Sequence, residues 1–397
     1  MPDALAITGM GVWSAGGTSP EALHQSALKG GPLGAFQIPE RPEVAACVAP
    51  PPEGLSCFPQ IHRMDRSAQL ALAAALGAHR QAQLEHLDPT RIGILVGNSR
   101  GPAGLWSTPA VGRLRPTRAA HSAVASLSGA LSLALRARGP CLTISATCAS
   151  AAHAIAVGAG MIHGGLVDAV LVGGAEAPLA PPLLDQFAAA GILGHGPSAE
   201  EVCRPFDIHR NGTIPGEGAG FLVLETVSTA RSRGVGILAR LVAATMGAES
   251  HNRVAARPDG DGLAQVMTQA LAAAGIEPSS VAYVNAHGTG TRVNDAAEAA
   301  ALRRIFGDHV GALPVSSTKA ITGHTFGAAA ALEAVISIQS LRTGIAPPTT
   351  GCLQPDPTFG LDVVVASPRP IAKTYAMSNS LGFWGNTASL IFALGGA

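Results

Sequence analysis

Residues 141–160, CLTISATCASAAHAIAVGAG, place a cysteine between a strand pattern and a helix pattern. CLTIS predicts a strand, and the Ala, Ile, Val and Gly residues after the turn predict a helix. Cys148 lies at the turn, where the unpaired N–H groups and the dipole of a helix N-terminus favour a thiolate. Such a thiolate, backed by peptide N–H donors, is a nucleophile suited to thioesters. On this stretch alone, a small buried apolar cysteine is an equally good interpretation.

Length and composition indicate a large enzyme rather than a nucleic-acid or membrane-surface protein. The 397 residues exceed the size at which a single core keeps growing, so two domains or two joined halves are expected. Hydrophobic residues make up 47% of the chain and charged residues 13%, which is typical of much buried sheet and helix. The formal net charge is zero, which argues against a basic surface that binds nucleic acid or an anionic membrane.

The cysteines and the N-terminus indicate a cytoplasmic protein. No two cysteines form a CxxC pair, so neither a zinc site nor a disulfide framework is predicted; they are Cys47, Cys57, Cys141, Cys148, Cys203 and Cys352. The first residues enter a strand pattern directly, without the features of a signal peptide. No window reaches the roughly 18 uncharged apolar residues that span a membrane. We therefore expect no membrane association.

Strand and helix patterns alternate along the whole chain. Apolar runs such as DAVLVGGAEA, residues 168–177, predict strands buried on both faces of a sheet. Further strands are expected at 91–97, 221–225, 239–247, 281–288, 314–319 and 363–368, with helices at 64–86, 122–135, 263–274, 295–305 and 328–341. This order predicts an α/β protein with helix-covered sheets. The best division lies near Thr226–Gly236, which gives similar halves at 1–230 and 231–397 and suggests an internal duplication.

Two histidines follow predicted strands in the second half. His287 lies in NAHGTGTRVND and His324 in STKAITGH, each where an apolar strand meets small residues, as active sites of α/β folds do. Neither has a second ligand at HxH, HxxxH or HExxH spacing, so we interpret both as hydrogen-bond donors and predict no metal. A dinucleotide cofactor is also disfavoured, because Ser14 replaces the third glycine of the fingerprint in GMGVWS.

Five motifs now indicate a family. ATCAS, GGAE, CRPFDIHRNG with GEGAG, NAHGTGTRVND and STKAITGH occur in this order over nearly the whole length. The chain resembles a β-ketoacyl-acyl carrier protein synthase of the thiolase superfamily. Initiating synthases have Asn in place of the second His, so His324 indicates the elongating type. The resemblance implies a thiolase-like fold, in which two duplicated βαβαβ-type halves form a five-layer αβαβα sandwich.

The resemblance also implies the chemistry. Cys148 would accept an acyl chain from acyl carrier protein, with the N–H groups of Cys148 and Phe383 as oxyanion hole. His287 and His324 would donate hydrogen bonds to the thioester oxygen of malonyl-carrier protein as carbon dioxide leaves. The resulting enolate would attack the acyl-enzyme, giving a 3-ketoacyl product two carbons longer. No cofactor is implied, because phosphopantetheine arrives on the carrier protein.

Supporting residues follow from the same motifs. Lys319 resembles the family's supporting lysine and would orient His324 or polarise the site, with Glu333 as its predicted partner; a purely structural ion pair is an equal alternative. Thr289 and Thr291 match residues that hold the phosphopantetheine arm. Asp295, together with Glu298, is expected to brace the His287 loop.

The final motif departs from the family's NSFGFGGTNA. Residues 379–388 read NSLGFWGNTA, the predicted gating loop, in which Phe383 aligns with the gating phenylalanine. Trp384 replaces a glycine, so we expect a gate with altered motion or a reshaped entrance. The stretch from Gly101 to Pro116 is also shorter than in housekeeping synthases and is expected to shape the acyl pocket. Both departures favour specialised polyketide or polyene synthesis over bulk fatty acid synthesis.

Two other functions stay open. One is an acyltransferase of this fold that joins the acyl group to something other than malonyl; the histidines disfavour it. The other is a non-catalytic chain-length partner of a heterodimer, which the presence of Cys148 disfavours. The resemblance implies a homodimer, with a heterodimer of related ketosynthase or chain-length factor subunits as its rival.

Overall fold

The architecture was obtained as a computed structural model that describes residues 4–30, 34–55, 58–107 and 116–395. The strands of these residues are β1 Leu5–Ser14, β2 Ile92–Gly97, β3 Cys141–Ile144, β4 Ala169–Glu176, β5 Gly218–Thr226, β6 Ala239–Ala248, β7 Val281–Asn285, β8 Pro314–Ser316, β9 Ile345–Ala346, β10 Asp362–Val363, β11 Arg369–Pro370, β12 Tyr375–Leu381 and β13 Asn386–Ala393.

The strands form two half-sheets with the same pairing pattern. The first has the order β3-β2-β4-β5-β1 and the second β8-β7-β12-β13-β6, with β10 added at its edge. In each half-sheet the first three strands of this order pair in parallel. The fourth and the fifth strand each pair antiparallel with the strand before it. Antiparallel pairing of Leu5–Ile7 with Ala239–Leu241 joins the half-sheets along β1 and β6. This repeated topology is what an internal duplication produces.

The helices arrange the half-sheets into layers. They are α1 Pro20–Lys29, α2 Arg66–Gln81, α3 Ala103–Ser107, α4 Arg118–His121, α5 Ser126–Leu135, α6 Ser150–His163, α7 Pro181–Ala189, α8 Ala199–Val202, α9 Val227–Ser232, α10 Asp261–Ala274, α11 Arg292–Phe306, α12 Lys319–Thr322 and α13 Ala329–Thr343. Helices α2 and α5 pack on strands of the first half-sheet, and α10 on the second. Helices α6 and α13 contact both half-sheets and form the middle layer. The five-layer αβαβα sandwich is therefore confirmed.

Small residues allow the middle layer to lie close to the sheets. A Cβ added at Gly97 of β2 would lie 2.4 Å from the backbone nitrogen of Ala151 in α6. One added at Gly174 of β4 would lie 2.7 Å from the carbonyl oxygen of Gly327, just before α13. Because both contacts are with backbone, no side chain fits there. This chain has few aromatic side chains, so close contact between the helices and the strands takes the place of packing by large rings.

Most predicted elements are present, but the C-terminal region differs. The strand expected over residues 363–368 is only the two-residue β10. Strands β12 and β13 were not predicted, although they lie in the interior of the second half-sheet. They occupy most of residues 379–388, so the predicted gating loop is the short hairpin connection from Gly382 to Gly385. The polar residues of SNS in β12 hid its strand character, because all three are buried rather than facing solvent.

Candidate active site

The nucleophile turn follows β3 and precedes α6. Thr147 has a left-handed backbone with φ of 51°, which a β-branched residue seldom adopts. Ser150 holds this turn: its Oγ donates to the Thr147 carbonyl oxygen at 2.6 Å and accepts from the Ala146 N–H at 2.9 Å. The Thr147 hydroxyl donates to the Phe383 carbonyl oxygen at 3.1 Å. The turn therefore fixes Cys148 at the start of α6 and ties it to the C-terminal hairpin.

The three predicted catalytic side chains lie together. Cys148 follows β3 and His287 follows β7, whereas His324 follows β8 after the short helix α12; β3, β7 and β8 each belong to a parallel pair. The Nε2 of His324 lies 3.2 Å from the Sγ of Cys148, and the two imidazole centroids are 5.4 Å apart. All three side chains are buried, and their ligand atoms lie within 4.8 Å of one another. That spacing also fits a single metal ion, although the thiol–imidazole hydrogen bond accounts for the closest pair.

Burial sets the resting protonation of the site. It raises the pKa of Cys148 to about 12, against the smaller opposing charges of Lys319 and Arg100. Burial, assisted by the Lys319 charge, also holds the pKa values of His287 and His324 well below the usual 6.5. The resting site thus holds a neutral thiol and two neutral imidazoles, with the Sγ of Cys148 and the Nε2 of His324 within hydrogen-bonding distance. The helix N-terminus alone does not produce the thiolate expected from the sequence, because desolvation opposes it.

Neutral histidines predict a pH-insensitive decarboxylation step. Above their lowered pKa values, both imidazoles stay unprotonated, so the rate should be flat from about pH 6.5 to about pH 8. The measurement is carbon dioxide release from malonyl-acyl carrier protein by the Cys148→Ala variant, which removes the acylation step. An inflection near pH 6.5 would contradict this, since it would indicate a histidine with an ordinary pKa.

Lys319 and Glu333 form an ion pair beneath the histidines. The ammonium of Lys319 donates to a carboxylate oxygen of Glu333 on α13, and both residues are buried. Burial raises the pKa of Glu333, and the neighbouring Lys319 charge opposes that rise. Lys319 is thus close enough to influence both imidazoles electrostatically.

Two acids brace the loop that carries His287. Glu298 accepts from the N–H groups of His287 at 2.9 Å and Gly288 at 2.8 Å. Asp295 accepts from the N–H of Gly290 at 3.2 Å and from that of Phe206 at 2.8 Å. Both carboxylates are buried on α11, so the helix holds the loop rigidly. Both acids therefore bind backbone N–H groups of the loop that carries His287.

A cavity of about 280 Å³, the first cavity, leads to the three side chains. Cys148, His287 and His324 line it, as do Thr289, Thr291 and Phe383. The hydroxyls of Thr289 and Thr291 lie 2.9 Å apart along its wall. Hydroxyls on a channel wall suit an arm that carries amide groups. The first cavity therefore brings the predicted nucleophile, donors and arm-binding threonines to one space.

Trp384 differs from the expectation of a reshaped entrance. Its side chain is 65% exposed and is not part of the wall of the first cavity, whereas Phe383 is. Its backbone φ of 62° explains why the family has glycine there, since a Cβ is strained in this region. The Trp384 N–H donates to the Arg253 carbonyl oxygen at 2.8 Å, which holds the turn. The substitution therefore stiffens and strains the hairpin turn rather than narrowing the cavity.

Trp384→Gly should stabilise the protein slightly. Glycine relieves the left-handed strain, and the exposed indole loses little packing, so the free energy of unfolding should rise by up to about 1 kcal/mol. Chemical denaturation at one fixed protein concentration measures the change. Trp384→Ala is the matched control, because it removes the ring but keeps the strained Cβ. Equal stability of the two variants would refute strain at this position.

Three side chains of the site were not predicted. The Phe326 ring stacks on His324 with centroids 4.5 Å apart, and Phe187 stacks on Phe326 at 4.4 Å. Glu176, at the end of β4, accepts from the Ser99 N–H at 2.7 Å and from the Gly327 N–H at 3.1 Å. In the sequence, Glu176 stands at the end of a wholly apolar strand, and this position is a signal that its carboxylate is buried and structural. The left-handed backbone of Phe326 (φ 42°) had no signal in the sequence.

The stretch from Gly101 to Pro116 is described only in part. Residues 108–115 lie outside the described residues, so their predicted effect on the acyl pocket is a proposal. Gly101, Ala103 and Trp106 line a second cavity of about 540 Å³. The described part of this stretch therefore does border a space near the nucleophile turn, since Ser145 lines the same cavity.

Comparisons with known proteins agree with this geometry. The model of the β-ketoacyl synthase N-terminal domain matches residues 57–230, and that of the C-terminal domain matches residues 238–352. The 3-oxoacyl-[acyl-carrier-protein] synthase 2 of Staphylococcus aureus strain N315 is 37% identical over 342 residues, which cover 84% of this chain and 83% of that protein. Nodulation protein E of Rhizobium leguminosarum bv. trifolii is 36% identical over 345 residues, with 84% and 83% covered.

Solved structures give the same result. The ishigamide ketosynthase/chain length factor is similar with a TM-score of 0.89 and 31% identity, covering 100% of both chains. A β-ketoacyl synthase from Burkholderia phymatum STM815 has a TM-score of 0.89 and 28% identity, covering 99% and 100%. The fold, the matched models and the curated relatives lead to one conclusion: this chain belongs to the β-ketoacyl synthase family.

Proposed function

We propose that the protein catalyses decarboxylative condensation of an acyl group on Cys148 with malonyl-acyl carrier protein. The observation that carries this proposal is the 3.2 Å contact between the Cys148 thiol and His324 at the first cavity, with His287 beside it. One nucleophile and two neutral donors suffice for acyl transfer and for enolate stabilisation. The product is a 3-ketoacyl-acyl carrier protein.

The first half-reaction loads Cys148. Its sulfur attacks the carbonyl carbon of an acyl thioester, and the thiol proton passes by way of His324 to the departing pantetheine thiolate. The dipole of α6 and the N–H groups of Cys148 and Phe383 stabilise the tetrahedral oxyanion. One thioester is exchanged for another, so no oxidant or reductant is required. Phosphopantetheine enters and leaves with the carrier protein, and the reaction as written needs no separate cofactor.

The second half-reaction forms the new carbon–carbon bond. Once Cys148 is acylated its S–H donor is gone, and His324 can carry its proton on Nε2. His287 and His324 then donate to the malonyl thioester oxygen while the bond to the carboxylate breaks and carbon dioxide leaves. The enolate carbon attacks the acyl carbonyl, and the Cys148 thiolate departs and takes up a proton from water. Decarboxylation supplies the electron pair, so no base removes a proton from carbon.

The supporting residues take positioning roles in this scheme. Burial lowers the pKa values of both imidazoles, and the positive charge of Lys319, paired with Glu333, adds to this effect and helps to keep them neutral. Thr289 and Thr291 hold the phosphopantetheine arm, and Phe383 gates the approach to Cys148. A cytoplasmic location follows, because Cys148 must remain a free thiol and reducing compartments preserve thiols. Among the described residues, no helix has both the length and the apolar character needed to cross a bilayer.

Acyl carrier protein and a second ketosynthase chain are the proposed partners. Strand β3 lies at the edge of its half-sheet with Cys141 and Leu142 exposed, so it can pair with β3 of a second subunit. A homodimer is the first choice. The ishigamide ketosynthase/chain length factor makes a heterodimer with a chain-length factor the alternative. We propose residues 1–230 as the half that carries the nucleophile and residues 231–397 as the half that carries both histidines.

The test is acylation of the purified protein. Acyl carrier proteins with different acyl chains are incubated with it, and a mass increment is sought on the peptide that contains Cys148. Carbon dioxide release from malonyl-acyl carrier protein without an acyl donor distinguishes a ketosynthase from an acyltransferase of this fold. Acylation without any decarboxylation would favour the acyltransferase. A folded protein that accepts no acyl chain would overturn the proposal in favour of a non-catalytic chain-length partner.

A further inference from the structure

The second cavity is lined by more polar groups than an alkyl chain requires. Its volume of about 540 Å³ lies within the range of ligand sites. Ser99, Arg100, Ser145 and Gln186 line it, next to apolar walls from Leu183 and Trp106. Sites for plain hydrocarbon are lined by apolar side chains, because each buried polar group without a partner costs free energy. A cavity of this composition is suited to a ligand with polar atoms.

The second cavity lies close to the nucleophile turn, because Ser145 lines it and Cys148 follows three residues later. Cys148 lies in one buried apolar cluster with Phe187 and Phe326, and Leu183 of the second cavity packs against that cluster. Phe326 lines the first cavity, Phe187 stacks on it, and the guanidinium of Arg100 lies 5.1 Å from the Phe187 ring centroid. This row of rings leads from the catalytic side chains to Arg100.

The backbone of Arg100 is held in place from beneath. Its N–H donates to Asn98 Oδ1 at 3.1 Å and to Glu176 Oε1 at 3.3 Å. Glu176 in turn accepts from the Asn98 side chain at 3.1 Å and from the Ser99 hydroxyl at 2.6 Å. Glu176 is fully buried, so this network is shielded from water. Arg100 is therefore presented from a rigid loop, as specific recognition requires.

The guanidinium of Arg100 has unused donors. Its Nε is buried without a hydrogen-bond partner, and none of the ion pairs between described residues includes Arg100. Covering these donors with hydrocarbon would remove them from water without compensation. An oxygen acceptor would instead form a charge-assisted hydrogen bond, and a carboxylate would form two.

We propose that Arg100 selects, among the acyl chains carried on Cys148, those with a carbonyl or carboxylate oxygen that reaches the second cavity. This inference rests on the proposed function and adds a substrate class to it. Arg100 is a specificity-determining residue that touches the chain remote from the reacting atoms. Oxygenated chains are thereby favoured over hydrocarbon chains, including polyenes.

The test compares three acyl groups of equal length on the same carrier protein. One is an unsubstituted alkanoyl chain, one ends in a methyl ketone and one ends in a carboxylate. The initial rate of the mass increment on Cys148 is measured for each with the full-length protein in its purified assembly. Wild type should accept the better oxygenated chain roughly ten- to a hundredfold faster than the alkanoyl chain. The ketone and carboxylate arms identify which oxygen is preferred.

Variants of Arg100 test whether its guanidinium causes the preference for oxygenated chains. Arg100→Met keeps an unbranched stem and loses the donors, so the preference should vanish while the alkanoyl rate is kept or raised. Arg100→Lys keeps the charge without the planar fork, so it should retain part of a carboxylate preference and provides a second variant if the first folds poorly. Arg80→Met, an exposed site on α2, is the matched control and should behave as wild type.

Each result has a distinct meaning. Equal rates for all three chains in wild type overturn the selection by Arg100, as would occur if a partner subunit's acid neutralised it. A preference that survives in Arg100→Met also overturns it. Acylation by no chain at all would instead refute the proposed function on which this inference rests.

Discussion

Replacing Cys148 by alanine should abolish condensation, with a fall in rate of roughly four orders of magnitude or more. No other described cysteine lines the first cavity, so no neighbouring thiol can carry the acyl group. Carbon dioxide release from malonyl-acyl carrier protein should persist in the same variant, because His287 and His324 remain. The measurements are formation of 3-ketoacyl product by mass spectrometry and release of labelled carbon dioxide.

The matched control for this variant is Cys352→Ala. Cys352 is a buried cysteine of the C-terminal apolar core, outside both cavities. It should leave both reactions at the wild-type rate. Retained condensation in Cys148→Ala would show that the nucleophile has been assigned to the wrong residue. Loss of decarboxylation together with condensation would show that the thiol itself takes part in enolate formation.

Lys319→Met should lower the free energy of unfolding by about 3–5 kcal/mol. The substitution leaves Glu333 buried without its partner, and the raised pKa caused by burial is then no longer opposed by the Lys319 charge. The carboxyl group must therefore either take up a proton or remain charged without compensation. Chemical denaturation at fixed protein concentration measures the loss, because stability of an oligomer depends on concentration.

A double variant distinguishes the loss of the whole Lys319–Glu333 ion pair from the loss of Lys319 alone. Lys319→Met combined with Glu333→Leu removes both charges and should recover most of the stability lost in the single variant. Activity should remain low in the double variant if the Lys319 charge serves the histidines. Full activity there would mean that the ion pair is purely structural, which is the alternative that the sequence left open.

The candidate site was more predictable from the sequence than the fold around it. Cys148, His287 and His324 each follow an apolar strand, and carboxyl ends of parallel strands meet at one edge of a sheet. The site expected from the local sequence pattern therefore agrees with the place where the sheet topology brings these residues together. The interior hairpin of β12 and β13 was not predicted, because buried polar residues such as Asn379 and Ser389 bond to each other and break the apolar pattern. Tertiary partners of this kind have no local signal.

The second cavity was beyond prediction for a related reason. Arg100 was recognisable as a basic residue, but its stacking on Phe187 depends on the position of α7, which is distant in sequence. The backbone of Phe326 is also set by its surroundings: Glu176 holds the N–H of the next residue, Gly327. Contacts between separate elements decide both features.

The shared middle layer has a consequence for synthesis on the ribosome. Helix α6 is complete once residue 163 has emerged, yet its second face is covered by β6 and by β13, the last strand of the chain. The nascent first half therefore carries uncovered apolar surface until translation is nearly finished. Partly made chains of this kind are prone to aggregation and depend on chaperones. Yield in a heterologous host should thus be governed by chaperone supply and by the speed of translation after the first half.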